Sequence, residues 1–353
     1  MSLHKLVLIL IGLAMAPGTS ADIAVGSYGD SVIGQPVLAF ADGANGNPLP
    51  IRNLGGPLST LRAPAGGVFE ANEGTLFVAD FWGQAIRVYP AYANGDVAPL
   101  RVLDTPYLGQ ARALAVDVVH DELIVVGSGC CLMAFPRTAS GSSVVPTRIV
   151  QWGGGAGSVT QLNYPYALTL LAVTDEVALI DYDPDAPYAP KLLVFNRTDS
   201  GNTAPKRVLK GSQTQFGNGL GGIVHDPVSR ELFVLAYADN PDTTRSARVL
   251  VFDDQANGDS APVRMIAGPL TGLEIGSNQS PAGLAIDPVQ RRLIVSIGDY
   301  ANAGGNRLLV FDLGADGNAA PLQSIGGPQT GLANQISAPI WLPTDPIMGN
   351  GFD

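Results

Sequence analysis

Cysteine and histidine are scarce in this chain of 353 residues. It contains two cysteines, which are adjacent at Cys130 and Cys131, and three histidines. One cysteine pair without nearby histidines supplies too few ligands for a zinc site. The sequence also lacks Gly-x-Ser-x-Gly, His-Glu-x-x-His and P-loop motifs. The usual patterns of serine hydrolases, zinc proteases and P-loop nucleotide-binding proteins are therefore excluded.

Charged residues are also sparse, and the cations among them are outnumbered. They make up 14% of the chain, with 20 Lys and Arg against 31 Asp and Glu, for a net charge of -11. Nucleic acids and anionic membrane surfaces attract proteins that concentrate Lys and Arg on one face. We therefore expect neither as a partner.

Long hydrophobic runs are absent apart from one near the N-terminus. Lys5 precedes an apolar run over residues 6–16, and small residues follow up to Ala21. The run is too short to cross a bilayer, for which about 20 residues are needed, and the pattern is typical of a secretory signal peptide. The sequence predicts a signal peptide over residues 1–21, a single domain over residues 22–353, and export to the periplasm or the cell exterior.

Glycine and proline, in contrast, are abundant, with 43 and 27 residues, and both recur in a repeated unit. The unit begins at an aromatic residue that ends an aliphatic strand, and a glycine follows six residues later. A proline comes next, then an arginine two residues after it. The aromatics are Phe40, Tyr89, Phe135, Phe195, Phe252 and Phe311, the glycines are Gly46, Gly95, Gly141, Gly201, Gly258 and Gly317, and the arginines are Arg52, Arg101, Arg148, Arg207 and Arg264, with Gln323 in the sixth copy.

Each part of the unit has a physical role in a β-hairpin. Asn-Gly or Ser-Gly supplies the positive φ of a tight turn at low steric cost. Proline cannot donate to a sheet, so it belongs at a strand start or on an edge strand. A recurring arginine fits an outer strand whose edge must be protected from pairing with other chains. The unit therefore predicts a hairpin whose second strand is the outermost.

A second pattern between these hairpins adds two strands per copy. Pro281–Asp287 followed by Arg292–Ile297 is the clearest example. Four short strands per 46–60 residues indicate a β-propeller blade. A lone strand over 339–346 ends the chain, and a spare strand over 23–27 begins it. The sequence predicts an all-β, six-bladed propeller with four antiparallel strands per blade, whose last blade is closed by N- and C-terminal strands.

With these repeats the chain resembles the NHL-type six-bladed propellers, in particular exported bacterial ones. The segments that carry the resemblance are of the type Val251-Phe-Asp, Ala256-Asn-Gly-Asp-Ser-Ala-Pro-Val-Arg264 and Pro281-Ala-Gly-Leu-Ala-Ile-Asp287, and it extends over residues 22–346. The resemblance implies the fold. It leaves function open, because such propellers include enzymes, sensors and binding modules.

The loops between second and third strands share a face with the links between blades, and propeller ligands usually bind on that face. These loops carry aromatic and acidic residues, which suit a cation, a sugar or another small polar ligand; the alternative is that they pack the loops together. The candidate ligand-binding residues are Tyr28, Asp30, Asp80, Trp82, Tyr182, Tyr237, Asp239, Asp299 and Tyr300.

One loop has the alternating acids of a calcium site. Asp181, Asp183 and Asp185 match the start of such a loop, but Leu192 stands where an EF-hand has its bidentate Glu. We interpret the three as a possible Ca²⁺ or other hard-cation site, with a solvated acidic loop as the alternative.

The adjacent cysteines and a further acidic series complete the candidates. Cys130 and Cys131 are predicted to form a vicinal disulfide or to remain a thiol pair. Acids end five of the six inner strands, and we expect them to cap turns or to meet the recurring arginines. These acids are Glu70, Asp117, Asp226, Asp287 and Asp345.

Two functions from different classes remain. The first is an exported, non-catalytic, monomeric propeller that binds a ligand or a protein partner on the face with the inter-blade loops. The alternative is a metal-assisted hydrolase or lyase of the gluconolactonase-like or streptogramin-lyase-like type. No residue set matches the metal ligands of the former, and His120 and His225 lie on the wrong face for the general base of the latter.

Overall fold

The computed structural model describes residues 21–28, 32–128, 131–154, 157–183, 189–242, 244–301 and 304–344. These residues form short antiparallel strands joined by turns, with 3₁₀ turns at Ser212–Thr214 and Pro328–Thr330. In this part of the chain no helix is long and apolar enough to cross a membrane. Residues 1–20 of the predicted signal peptide and Asp345 lie outside the described residues, whereas Ala21, its predicted last residue, is the first residue of a strand.

Six antiparallel sheets follow one another around a central axis, and five of them are continuous in sequence. Blade 1 contains β4 (Pro64–Glu70), β5 (Thr75–Asp80), β6 (Ala85–Pro90) and β7 (Arg101–Leu103). Blade 2 contains β8 (Ala111–Asp117), β9 (Glu122–Gly127), β10 (Leu132–Pro136) and β11 (Arg148–Val150). Blade 3 contains β12 (Ala167–Leu171), β13 (Glu176–Asp183), β14 (Ala189–Asn196) and β15 (Arg207–Leu209).

Blades 4 and 5 repeat this order. Blade 4 contains β16 (Gly219–Asp226), β17 (Glu231–Asp239), β18 (Arg245–Asp253) and β19 (Arg264–Ile266), and the short β20 (Glu274–Ile275) also pairs with β18. Blade 5 contains β21 (Gln279–Asp287), β22 (Arg292–Asp299), β23 (Arg307–Asp312) and β24 (Gln323–Gly326).

The sixth blade joins the two ends of the chain. Its strand order is β25 (Ile336–Pro343), β1 (Ala21–Ser27), β2 (Val37–Phe40) and β3 (Arg52–Leu54). Ile23 lies opposite Trp341 on one side and Phe40 on the other. The prediction of a six-bladed propeller closed by both termini is therefore confirmed.

The hydrophobic core lies between neighbouring blades. The six repeat aromatics, Phe40 to Phe311, have no exposed surface. Phe252, for example, packs with Phe216 from the link into its own blade, with ring centroids 5.7 Å apart. Burying one such ring contributes about 1.5–3 kcal/mol, which explains why each copy keeps an aromatic here.

The turn of each hairpin covers the outer edge of the preceding blade. The Gly258 N–H donates to the Val208 carbonyl over 2.8 Å, and the Lys210 N–H donates to the Gly258 carbonyl over 2.9 Å. Gly46 makes the same contact with Ser324 at 2.8 Å, across the two ends of the chain. Backbone hydrogen bonds therefore protect the free edge.

The recurring arginines have a different role from the edge protection predicted for them. Four of the five pair with an acid at or next to the start of the second strand of their own blade, whereas Arg101 lies 3.4 Å from Glu73 in the turn before β5. The pairs are Arg52 with Asp22 (2.5 Å), Arg148 with Glu122 (2.6 Å), Arg207 with Glu176 (2.7 Å) and Arg264 with Glu231 (2.7 Å). Blade 5, which has Gln323 in place of the arginine, carries Arg292 at the position of the acid, and that arginine pairs with Asp42 and Asp287.

The acids that end the inner strands cap turns, as predicted. Asp287 accepts the N–H groups of Val289 and Gln290 at 2.9 and 3.0 Å. Glu70 and Asp226 accept the corresponding N–H groups in their blades. The alternative pairing of these acids with the recurring arginines is wrong: Asp226, for example, pairs with Arg291 at 2.6 Å.

Candidate ligand site at the mouth of the central channel

The six inner strands enclose a channel of about 370 Å³. The strands approach each other so closely that side chains must be small at several points. A Cβ on Gly222 would come within 2.9 Å of the Gly283 Cα, and one on Gly283 within 2.4 Å of the Ala338 side chain. Alanines and aliphatic side chains line most of the remainder. A pocket with walls of this kind favours apolar ligand groups.

One charged side chain, Arg112, lines the channel among the described residues. It lies near the start of β8, where the pairing with β9 shifts register between Ala111 and Ala113. Such a bulge leaves one residue out of the ladder and re-aims its side chain. The residues at the same bulge in blades 1, 4 and 5 are Ala65, Gly221 and Ala282. Arg112 is therefore a substitution in one copy of a repeated position.

Aromatic rings from the two neighbouring blades surround this guanidinium. Its central carbon lies 4.8 Å from the ring centre of Phe81, 5.2 Å from Tyr164 and 5.0 Å from Tyr166. Phe81 also contacts Tyr28 edge-on at 5.4 Å and Trp82 at 5.0 Å. Aromatic faces attract cations, so these contacts hold the arginine in place.

Arg112 has no acidic partner in the described part of the chain. Nη2 donates to the Tyr164 hydroxyl over 2.9 Å. Nε is buried and makes no hydrogen bond. A cation in this state is a strong attachment point for an anion.

Tyrosine hydroxyls add polar groups around the arginine. Burial raises the pKa of Tyr28, the Arg112 charge lowers it, and the Tyr300 and Tyr164 phenols raise it further. Burial likewise raises the pKa of Tyr182 to about 12. These hydroxyls are therefore protonated at neutral pH and able to donate hydrogen bonds.

The acids predicted as ligand contacts hold loop backbone. Asp80 is buried, accepts the Arg62 and Ala63 N–H groups at 3.0 and 2.8 Å, and pairs with Arg87 at 2.8 Å. Asp299 is buried and accepts the Ala301 and Gly305 N–H groups, both at 2.9 Å. Their direct contact with a ligand stays a prediction.

The remaining predicted residues divide between the mouth and its rim. Tyr28 lines the channel, Trp82 and Tyr300 are exposed there, and Tyr182 holds β16 by donating to the Leu220 carbonyl over 2.9 Å. At the rim, Arg245 lies 5.1 Å from the ring centre of Tyr237 and pairs with Asp239 at 2.8 Å. Asp30 lies outside the described residues.

The residues of the predicted calcium site have cationic neighbours. Asp181 is buried, accepts the Asn163 and Tyr164 N–H groups at 3.0 and 3.1 Å, and lies 3.6 Å from the Lys191 ammonium. Burial raises the pKa of Asp181 to about 6, although Lys191 and the backbone donors oppose the shift. Asp183 lies 3.7 Å from Lys210, and Asp185 is outside the described residues. Cation binding here stays a prediction.

Cys131 packs in blade 2 in the same hydrophobic cluster as Ala111, the neighbour of Arg112, whereas His120 and His225 lie at or beyond the opposite ends of their inner strands. Cys131 is disulfide-bonded; Cys130 lies outside the described residues, so the adjacent pairing stays a prediction. Within the described ranges, one group could hold a metal ion: Asp117, His120 and Asp175, on the opposite face. Arg197 already lies against both carboxylates, at 3.5 Å from Asp117 and 2.6 Å from Asp175.

Sequence reasoning missed Arg112, Tyr164 and Tyr166. The available signal for Arg112 was a charged residue in one blade where the other copies have alanine or glycine. The two tyrosines precede an inner strand rather than following a second strand, so the loop motif did not include them.

Comparison with solved structures agrees with the architecture. A chain in the crystal structure of a nidogen/laminin complex superposes with a TM-score of 0.55 at 12% identity, covering 92% of this chain and 99% of that one. Hydrazine synthase of Kuenenia stuttgartiensis superposes with a TM-score of 0.50 at 12% identity, covering 79% of this chain and 70% of its own. No family model and no curated protein sequence matches. At this identity the likeness shows the fold, and the chain is a six-bladed β-propeller.

Proposed function

We propose that this chain is a non-catalytic binding propeller whose site is the mouth of the central channel on the inter-blade loop face. The observation that carries the proposal is the convergence of aromatic rings from separate blades on Arg112, at the opening of an otherwise uncharged channel. Rigid aromatic anchors around one oriented polar group are typical of binding sites.

The same arrangement supports binding over catalysis. Asp80 and Asp299 hold loop backbone, and the nearest metal-competent group is on the other face. An active site needs unlike polar groups converging on one reacting atom, whereas the mouth offers one cation and several neutral phenols. The metal-assisted hydrolase or lyase is therefore the less favoured alternative.

Two observations support a location of this protein outside the cytoplasm. The sequence begins with a signal-like segment, and Cys131 is in a disulfide, which persists in oxidising compartments. The repeat chemistry supports an affiliation with the NHL-type propellers. The nidogen/laminin structure is a complex of two proteins, which makes a protein partner for this chain a second possibility at the same face.

A thermal-shift screen tests the proposed site. The panel contains neutral sugars, quaternary ammonium salts and carboxylic acids. Each hit is retested on a variant lacking two exposed mouth rings, Trp82→Ala with Tyr300→Ala. The control is Trp152→Ala, because Trp152 is 52% exposed but follows the outer strand of blade 2, β11. We expect at least a tenfold affinity loss in the double variant alone; equal binding by all three proteins would refute the site.

A further inference from the structure

The channel behind Arg112 is mainly apolar, and its described lining contains no acid to compensate the arginine. Its described lining contains Leu114, Leu168, Ile223 and many alanines and glycines, while the acids of the mouth are absent from it. A ligand that neutralises Arg112 therefore places the rest of its body against apolar walls.

The far end of the channel is also mainly apolar. Phe69 and Trp341 lie there near the ends of β4 and β25 and contact each other edge-on, with ring centroids 6.1 Å apart. One polar atom is present, the indole Nε1 of Trp341, which is buried without a hydrogen-bond partner. The far end therefore suits a plain alkyl tail, and it also suits a tail that ends in one oxygen acceptor for the Trp341 Nε1–H.

The arginine itself selects the head group. Its faces are covered by the Phe81, Tyr164 and Tyr166 rings, so a ligand must approach through the N–H edge. That edge presents parallel donors that match the two oxygens of a carboxylate. Aromatic packing and burial fix the fork before the ligand arrives, which reduces the ordering cost of binding.

We propose that the channel binds an amphipathic monocarboxylate, with its carboxylate on Arg112 and its apolar tail in the channel. This inference rests on the proposed function, because it specifies the ligand class of the same site. It differs from the cation, the sugar or the other small polar ligand that the aromatic and acidic residues of the sequence suggested. The acids of that motif hold loops, whereas the cation of the site comes from a bulge outside the motif.

Another unpaired arginine in the molecule offers a matched control. Arg248 lines a separate cleft between blades 3 and 4, with Lys191 and Lys210. Its Nε is also buried without a partner, and no ion pair of Arg248 is present in the described residues. Arg112→Gln and Arg248→Gln therefore remove the same chemical group from two sites, of which one opens on the channel.

The test is binding of octanoate, below its micelle concentration, to the full chain by calorimetry, with tryptophan fluorescence as a second readout, because Trp341 lines the channel. The ligand controls are octanamide, octylammonium and acetate, which remove the charge, invert it or remove the tail. We expect octanoate to bind wild type and Arg248→Gln alike, and Arg112→Gln to bind it at least tenfold more weakly. Arg112→Lys, which keeps the charge but loses the fork, should lie between them.

Tail length gives a second measurement. Each methylene that leaves water for the channel should raise affinity about three- to fourfold, from butanoate upward until the channel is full. Octanamide and octylammonium should bind Arg112→Gln as well as or better than wild type. A flat chain-length series, or equal octanoate binding by wild type and Arg112→Gln, would overturn the inference.

The outcomes separate this inference from the proposed function. If a sugar or an ammonium salt binds, and the Trp82→Ala and Tyr300→Ala variant loses it while octanoate fails, the mouth is a binding site and the carboxylate assignment is wrong. If octanoate binds and Arg248→Gln abolishes it, the cleft between blades 3 and 4 is the octanoate site and the carboxylate assignment is wrong, while the thermal-shift screen still decides whether the mouth binds a ligand.

Discussion

At the scale of single residues, the turn glycines are needed for their backbone conformation rather than for space. Gly258 has φ of +66°, and a Cβ there would meet nothing within 4 Å. Gly268 has φ of +121°, and a Cβ there would come within 2.6 Å of the Asn318 side chain. The first position is left-handed helical, which asparagine tolerates, whereas the second is essentially restricted to glycine.

These two glycines predict different responses to one substitution. Gly258→Asn should reduce the free energy of unfolding by no more than about 1 kcal/mol, because only a mild φ preference is lost. Gly268→Asn should cost more than about 2 kcal/mol, because strain and steric overlap add. Urea unfolding of both variants measures the difference, and equal costs would contradict the distinction.

Glu176 predicts a pH dependence at the same scale. Burial alone would raise its pKa, but hydrogen bonds from Arg207, Lys206 and Thr174 outweigh burial and lower the pKa to about 2. A lowered carboxyl pKa stabilises the fold above the unfolded value of 4.5, and the contribution is lost as the pH falls toward 2.

The stability difference between wild type and Glu176→Gln should therefore be largest at neutral pH, on the order of 2–3 kcal/mol. It should shrink as the pH falls from 4.5 to 2, because protonated Glu176 resembles glutamine. Urea unfolding of both proteins at several pH values in this range measures it. A difference that stays constant with pH would show that Glu176 acts without its charge.

At the scale of the element, four of the six blades carry an ion pair between the outer strand and the second strand. Blades 2, 3, 4 and 6 place arginine on the outer strand and the acid on the second. Blade 5 moves the cation: Arg292 opens β22, pairs with Asp42 and Asp287, and leaves Gln323 on β24. The residue at the start of the second strand and the residue on the outer strand therefore depend on each other: an acid on the one goes with arginine on the other, and Arg292 goes with Gln323.

This coupling predicts partial rescue in blade 5. Arg292→Glu should destabilise by about 3–5 kcal/mol, because it removes the partner of two carboxylates and adds a third acid beside them. Adding Gln323→Arg should recover part of the loss, since it restores the pair of the other blades. A double-mutant cycle by thermal unfolding measures the coupling, and strict additivity of the two substitutions would argue against a shared site.

At the scale of the whole molecule, closure depends on β1, a chain segment far in sequence from the strand it joins. β1 pairs with β25 on one side and β2 on the other. The Gly26 N–H donates to the Ser337 hydroxyl over 3.0 Å, and the turn at Gly46 binds Ser324 of blade 5 over 2.8 Å. The last blade thus holds the ring shut through both strands and turns.

Deleting residues 21–27 should prevent folding of the ring. The deletion removes an interior strand of blade 6 and exposes the faces of blades 1 and 5 that pack on it. Circular dichroism and size-exclusion chromatography should show loss of the cooperative transition and of the compact wild-type species. A deletion variant that keeps the wild-type melting temperature would mean that the ring does not depend on this closure.

The sequence predicts the architecture well because the determinants of a blade are local. Asn-Gly turns and strand-ending aromatics recur at regular spacing, and the spare strand over 23–27 is recognisable beside them. Neighbouring blades repeat the same packing. The role of the recurring arginine was not predicted correctly. Its partner, such as Glu231 for Arg264, is 33 residues away, and only the strand register brings the two together.

The site depends on the tertiary structure for the same physical reason. Six blades, their strand order and the closure by both termini follow from the sequence alone. The same four strand segments recur in each copy, so the pairing inferred for one copy applies to the others. Arg112, Phe81, Tyr164 and Tyr166 come from three blades and share no spacing. Only ring closure, together with the bulge that turns Arg112 toward the axis, decides that they meet at the mouth of one apolar channel.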